Sequence, residues 1–215
     1  PPLHFPVNRD WRMGVSEKGR LGKWVVEQPA RSSLAPGEIR VDITVAGLNF
    51  RDVLNVLGMV ANPWLGLELA GVVTEVGAEV TSLQVGQRVF GLGKGTFASS
   101  AVVDARLVTP TPANISDEEA ATLPLVFLTA WYALYDLGQL KAKESILIHA
   151  AAGGVGMAAT QIAHMIGAKV YATASEPKWE TLRGMNISSD AIASSRTLDF
   201  AQTFESSSMD MVLNA

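Results

Sequence analysis

An uninterrupted apolar run, Ile146-Leu147-Ile148-His149-Ala150, passes through Ala151-Ala152-Gly153-Gly154-Val155-Gly156 into a stretch with helical spacing that reaches about Ile166. Such a run reads as a buried strand, and few folds accommodate a buried strand that feeds a helix through a glycine turn. Glycine permits the tight turn and the close approach of an anionic group, and the N–H groups opening the helix face that group. Against the G-x-G-x-x-G spacing of dinucleotide-binding turns, Ala151 takes the first place while Gly153 and Gly156 keep the other two. Gly153, Gly154, Val155 and Gly156 are therefore expected to cradle the pyrophosphate of a dinucleotide. The plainer alternative is a glycine turn that only packs a helix closely on a strand.

The chain beyond Ile166 keeps the same rhythm. A second strand is expected over Lys169–Ala174, a helix over residues 178–183, and short strands near 191–193 and 209–214. Strands alternating with helices imply a Rossmann-type, doubly wound parallel sheet. A complete sheet of this kind has about six strands, and about four can be counted here, so its C-terminal part is expected to be missing.

Residues 1–124 read differently. Pro36-Gly37-Glu38 is a turn that launches an alternating strand over 39–45, and further strands are expected at 71–76, 88–90 and 97–103, with Val85-Gly86-Gln87 as a turn. Ser116-Asp117-Glu118-Glu119 is a capping box opening a helix that Pro124 stops or kinks, and a second helix is expected from 125 to 137. The fold class is thus α/β: an N-terminal barrel-like, β-rich substrate domain (1–124) and a dinucleotide-binding domain (125–215).

The second strand indicates which dinucleotide. NAD-binding proteins place an acidic residue about 20 residues after the turn to accept from the ribose hydroxyls. Here Thr173-Ala174-Ser175-Glu176-Pro177-Lys178 has no carboxylate at the strand end. The Ser175 hydroxyl and the Lys178 cation suit the extra phosphate of NADPH, although Glu176 can point either way and Lys178 also reads as an ordinary solvated lysine.

Composition removes other classes. With 48% hydrophobic and 18% charged residues in 215, the chain is an ordered globular one. A net charge of −4 carries no electrostatic footprint for nucleic acid or an anionic membrane. No apolar run approaches the roughly 18 residues of a membrane span, and the first residues lack the basic segment of a signal peptide. There is no cysteine, which excludes disulfides, thiol nucleophiles and thiolate metal sites; His4, His149 and His164 are scattered without ligand spacing. No metal is expected, and a cytoplasmic location is.

The segment ILIHAAAGGVGMAATQIA, residues 146–163, closely resembles the nucleotide-binding segment of enoyl reductase domains from modular polyketide synthases and animal-type fatty acid synthases. Gly47-Leu48-Asn49-Phe50-Arg51-Asp52-Val53-Leu54, Phe127-Leu128-Thr129-Ala130-Trp131-Tyr132-Ala133-Leu134 and Ala193-Ser194-Ser195-Arg196-Thr197-Leu198-Asp199-Phe200 resemble the same family in the same order, from about residue 10 to 215. These domains are medium-chain dehydrogenase/reductases, in which a GroES-like domain accompanies the dinucleotide domain.

The resemblance implies NADPH-dependent reduction of the α,β double bond of an enoyl thioester carried on an acyl carrier protein. Hydride would pass to the β-carbon and a proton to the α-carbon. Ketoreductase and dehydratase domains would be neighbours. Zinc-using relatives carry Gly-His-Glu where this chain has Gly66-Leu67-Glu68, so no catalytic zinc is implied. Asn49 and Thr129 are candidates for contacts near the nicotinamide ribose or carboxamide; a capping asparagine and a buried threonine bonded to its own backbone are the alternatives. The family's proton-donor candidates correspond to Lys178 and Asp199, with water as a third source. Lys178 cannot easily serve both phosphate and proton, and the phosphate role is favoured. Asp199 reads equally as a carboxylate at a helix start. Ser195 is assigned to cofactor binding and Arg196 to the adenosine end, with a surface salt bridge as the alternative for Arg196. Val60 stands where the family's tyrosine or valine accompanies opposite methyl configurations, which implies a 2R product, or it merely fills the pocket wall. The stretch from Val60 to Leu65 is expected to be shorter than the family's loop, and Glu205-Ser206-Ser207-Ser208-Met209 lacks its glycine-rich connection. Three other functions stay open: a free-standing quinone or enone reductase, a cyclopropane-forming variant, and a non-catalytic NADPH-binding scaffold module.

Overall fold

Alternation of apolar and polar residues calls for a sheet with one face closed to water, and the computed structural model, which describes residues 3–6, 10–61 and 64–215, contains one. Two short strands, β1 (Arg12–Val15) and β2 (Trp24–Glu27), first pair as an antiparallel hairpin. Then β3 (Glu38–Ala46), β4 (Glu68–Val76), β5 (Arg88–Leu92), β6 (Ser100–Asp104) and β7 (Val108–Pro110) form an antiparallel sheet in the order β6-β3-β4-β5-β7. Ile39 and Val41 of β3, Leu69 and Val73 of β4, Val89 of β5 and Val103 of β6 make its core.

Between β3 and β4 lies α1 (Phe50–Val56), which hydrophobic periodicity does not announce. Its buried face is mostly polar, with Asp52 and Asn55 almost fully enclosed beside Val56, while Phe50 is 75% exposed. The capping box forms as expected: the Ser116 hydroxyl accepts from Glu119 N (3.1 Å) and Glu119 Oε2 accepts from Ser116 N (2.8 Å). The resulting α2 (Asp117–Ala121) sets Ala120 and Ala121 against Ala70 on the second face of β4. Pro124 neither stops nor kinks it. The helix has already closed, and Pro124 is the first residue of α3 (Pro124–Trp131), where its missing N–H costs nothing. The single helix expected to 137 also changes character. After Trp131 a π-helical turn runs over Tyr132–Leu137, with Gly138 N bonded five residues back to Ala133 O, beside the stacked rings of Trp131 and Tyr135.

The remaining elements are β8 (Ser145–His149), α4 (Gly154–Ile166), β9 (Lys169–Ala174), α5 (Trp179–Gly184), β10 (Ile192–Ser194), α6 (Phe200–Thr203) and β11 (Met211–Asn214). The four strands are all parallel, in the order β10-β9-β8-β11. Numbered from β8, that is 3-2-1-4, the first four positions of the doubly wound dinucleotide sheet. Ile146, Ile148, Val170 and Ala172 bury their side chains together with Ala159, Ile162 and Ala163 of α4. Helix α4 ends at Gly167, whose φ of 88° is the left-handed conformation that closes helices. Although 205–209 lacks glycine, Asp210 guides the chain into β11, donating its N–H to Ser145 O (2.9 Å) and accepting Ser145 N–H on Oδ2 (2.8 Å).

The chain divides into two compact units, Pro1–Leu125 and Val126–Ala215. Among the described residues no helix is long and apolar enough to cross a membrane.

Candidate functional site

In the second unit the strand order reverses between β8 and β11, and a doubly wound sheet opens a crevice at the carboxyl ends of its strands at that point. A cavity of about 520 Å³ lies there, lined by His149, Ala150, Thr173, Ser195, Phe200 and Asn214. The glycine turn begins beside it. Strand β8 ends one residue earlier than expected because Ala150 adopts a left-handed φ of 49°. Ala151 N then bonds to Thr173 O (3.0 Å) and Gly153 N to Ala150 O (2.8 Å), which ties the turn to the end of β9. The first bond of α4 runs from Met157 N to Gly153 O (2.8 Å), leaving the N–H groups of Gly154, Val155 and Gly156 without acceptors inside the helix.

The glycines differ in what they do. A Cβ on Gly156 would stand 2.6 Å from Ala150 O and from Ala151 Cα, so this glycine permits the close packing of helix on strand. A Cβ on Gly153 would meet only Ala150 O, at 3.2 Å, and one on Gly154 only Val126 Cγ1, at 3.1 Å. Packing therefore explains Gly156 and does not demand the other two. Three N–H groups at the start of a 13-residue helix, bordered by residues with little bulk, fit a pyrophosphate.

Ser175 follows β9 directly and is half-buried; its carbonyl accepts from Lys178 N (2.9 Å). Lys178 is exposed at the junction of a 3₁₀ turn and α5. Trp179 Nε1 donates to Ala174 O (3.1 Å), folding this segment onto the strand end. Ser195 lies just past β10, held by Ser195 N to Ala174 O (3.0 Å), and it lines the cavity. Arg196 is exposed, donates its backbone N–H to the Ser194 hydroxyl (3.1 Å), and makes no ion pair among the described residues. Asp199 does start a helix, but α6 is four residues long, and the exposed carboxyl accepts from Thr197 Oγ1 (2.8 Å) outside the cavity wall.

Sequence reasoning passes over His149, Thr173, Phe200 and Asn214. His149 Nδ1 lies 2.9 Å from Thr173 Oγ1, and its ring meets that of Phe200 edge-on at 5.0 Å. The signal that finds His149, Thr173 and Asn214 is position: each sits at or next to the carboxyl end of a parallel strand, where ligands bind in these sheets.

In the first unit Asn49 precedes α1. Its backbone N–H is accepted by Asp52 Oδ2 (3.0 Å) and its side-chain Nδ2 donates to Glu68 Oε1 (2.8 Å), so it does more than cap. Thr129 is exposed on α3 rather than buried. Val60 is half-buried just past Gly58, which turns the chain with a φ of 73°. The loop expected to be short, from Val60 to Leu65, includes residues 62 and 63, which lie outside the described ones. Leu67 is half-buried between Gly66 and the nearly inaccessible Glu68, and among the described residues no three His, Cys, Asp or Glu cluster as metal ligands would.

Residues 35–113 match the alcohol dehydrogenase GroES-like domain. The spectinabilin polyketide synthase system protein NorB of Streptomyces orinoci is 48% identical over 214 residues, an alignment covering 98% of this chain and 10% of that protein. The chain thus spans about a tenth of that relative's length. Among solved structures, the CurK enoyl reductase has a TM-score of 0.91 at 38% identity, covering 97% of this chain and 68% of the other. The JamJ enoyl reductase, in its apo form, has a TM-score of 0.86 at 31% identity, with coverages of 97% and 67%.

Proposed function

The chain belongs to the enoyl reductase domains of modular polyketide synthases, within the medium-chain dehydrogenase/reductase superfamily, and from that premise we propose that it reduces the α,β double bond of an enoyl thioester with NADPH, without zinc. The observation that carries the reading is the cradle of Gly154, Val155 and Gly156 N–H groups beside the crevice of the parallel sheet. When bound, NADPH supplies the hydride for the β-carbon. The chain's own residues bind and orient. The cradle offsets the pyrophosphate charge, the Ser175 hydroxyl and Lys178 ammonium take the adenosine phosphate, Ser195 and Arg196 line the adenosine end, and Asn49 and Thr129 hold the nicotinamide half. Lys178 is assigned to the phosphate, which leaves Asp199, whose carboxyl group accepts from Thr197 Oγ1, and water as the sources of the α-carbon proton. Leu67 in the place of the zinc-binding histidine, with no cysteine in the chain, supports the metal-free reading.

The substrate is assigned as a thioester on an acyl carrier protein, with ketoreductase and dehydratase domains alongside, because the relatives are polyketide synthases many times the length of this chain. The test compares a pantetheine-bound enoyl thioester with a simple quinone as acceptors for NADPH oxidation. A higher kcat/KM for the thioester is expected. A preference for the quinone overturns the substrate, and tight NADPH binding without turnover overturns catalysis.

Val60 bears on stereochemistry. By the family resemblance, valine here accompanies the 2R product from an α-methyl substrate. Val60→Tyr is expected to shift the product toward 2S, a discrimination of about 1–3 kcal/mol for a group of methyl size. Chiral chromatography of the released acid reads the ratio, and an unchanged ratio returns Val60 to a wall-filling role.

A further inference from the structure

We propose that Glu68 is a positioning residue for the cofactor: its buried carboxyl group sets the orientation of the Asn49 amide, so that Asn49 Oδ1, which faces the backbone N–H of Asp52 in the capping box of α1, keeps its second lone pair as an acceptor for a ribose hydroxyl of the nicotinamide half. This role for Glu68 rests on the assignment of Asn49 to that half of the cofactor.

Glu68 is 3% exposed, and both its oxygens are engaged by N–H donors. Oε1 accepts from Asn49 Nδ2 (2.8 Å) and Oε2 from Leu125 N, the second residue of α3 (2.9 Å). With an N–H donor on each of its oxygens the carboxyl group acts as an acceptor at both, so it binds the NH₂ side of the asparagine amide and directs the carbonyl oxygen the other way. The chain makes room for this arrangement. A Cβ on Gly47 would lie 2.3 Å from Glu68 Oε1 and 2.7 Å from Ala121 O, so any larger residue there would displace the carboxyl. The backbone of Asn49 is held from the same side. Asp52, also 3% exposed, accepts Asn49 N–H on Oδ2 (3.0 Å) and Gly66 N–H on Oδ1 (2.9 Å). Gly66 and Glu68 flank Leu67, so this three-residue segment holds Asn49 directly through Glu68 and, by way of Asp52, through Gly66.

The carboxyl group is specific to this task. Glutamine offers one acceptor oxygen where two N–H donors converge, and aspartate is one methylene too short to reach both. In the intact protein, Glu68→Gln is expected to raise the Kd for NADPH about tenfold, the loss that goes with one misdirected buried hydrogen bond. Affinity for 2′,5′-ADP, which lacks the nicotinamide half, should not change. The paired exchange Asn49→Asp with Glu68→Gln reverses donor and acceptor across the same contact, leaves an acceptor for Leu125 N, and is expected to return NADPH affinity to within about twofold of the parent.

Unaltered NADPH affinity in Glu68→Gln overturns the proposal. Equal weakening of NADPH and 2′,5′-ADP also overturns it, since that is general damage. A selective loss that the paired exchange does not repair overturns the assigned amide orientation. Asn49→Ala separates this inference from its premise. If that variant binds NADPH normally, the role of Asn49 falls and Glu68 with it; if it binds weakly while Glu68→Gln binds normally, only the role of Glu68 falls.

Discussion

Gly156→Val is expected to abolish NADPH binding and to destabilise the second unit by about 3 kcal/mol, at the upper end of what overpacking a close contact costs. The reason is geometric. A Cβ at this position meets two backbone atoms, Ala150 O and Ala151 Cα, each at 2.6 Å, and backbone cannot swing aside as a flexible side chain can. The neighbouring backbone is itself fixed: Ala150 already holds a φ of 49°, and Ala151 N is bonded to Thr173 O. Helix α4 would have to lift from β8, moving the N–H groups of Val155 and Gly156 away from the crevice. Gly153→Ala is the contrasting variant. Its Cβ would meet only Ala150 O, at 3.2 Å, so the fold should survive while the pyrophosphate loses space. Fluorescence titration with NADPH and urea unfolding of both variants separate the two effects. A Gly156→Val protein that binds NADPH like the parent would show that the turn is not the cofactor cradle.

Much of the fold is legible in the residues, and unevenly so. The parallel sheet can be read because β8 and β9 are apolar on both faces and α4 runs between a glycine turn and a left-handed Gly167. Helix α1 cannot, because it buries Asp52 and Asn55 and exposes Phe50, the reverse of the pattern that periodicity detects. The same inversion hides Glu68. A glutamate within an apolar strand reads as an interruption until the Asn49 amide and Leu125 N are found on its two oxygens. The cavity wall is half visible. Ser195 is reached through the family resemblance, whereas His149, Thr173 and Asn214 become a site only when parallel pairing brings three strand ends together. Pro124 misleads because its effect depends on whether it falls inside a helix or at its first turn, which turns on where α2 closes.

The choice between NADPH and NADH should respond almost as strongly, at Ser175 and Lys178. Ser175 occupies the end of β9, where an acidic residue would accept from both ribose hydroxyls and repel a phosphate. Lys178 is exposed one turn on, able to meet a phosphate as a cation. A charge-assisted hydrogen bond contributes about 1.5–3 kcal/mol, so Lys178→Ala should lower kcat/KM for NADPH by about 10- to 100-fold and leave NADH unchanged. Because the cation is exposed, the parent's preference for NADPH should also fall as salt is raised from low to physiological ionic strength and beyond. Ser175→Asp added to Lys178→Ala should reverse the preference, since the new carboxylate favours a free ribose and opposes the phosphate. The measurement is kcat and KM for both cofactors with one thioester substrate at two ionic strengths. The phosphate assignment requires the loss to fall on KM for NADPH. A loss in kcat with either cofactor, KM holding, would instead identify Lys178 as the proton donor and remove it from the adenosine end.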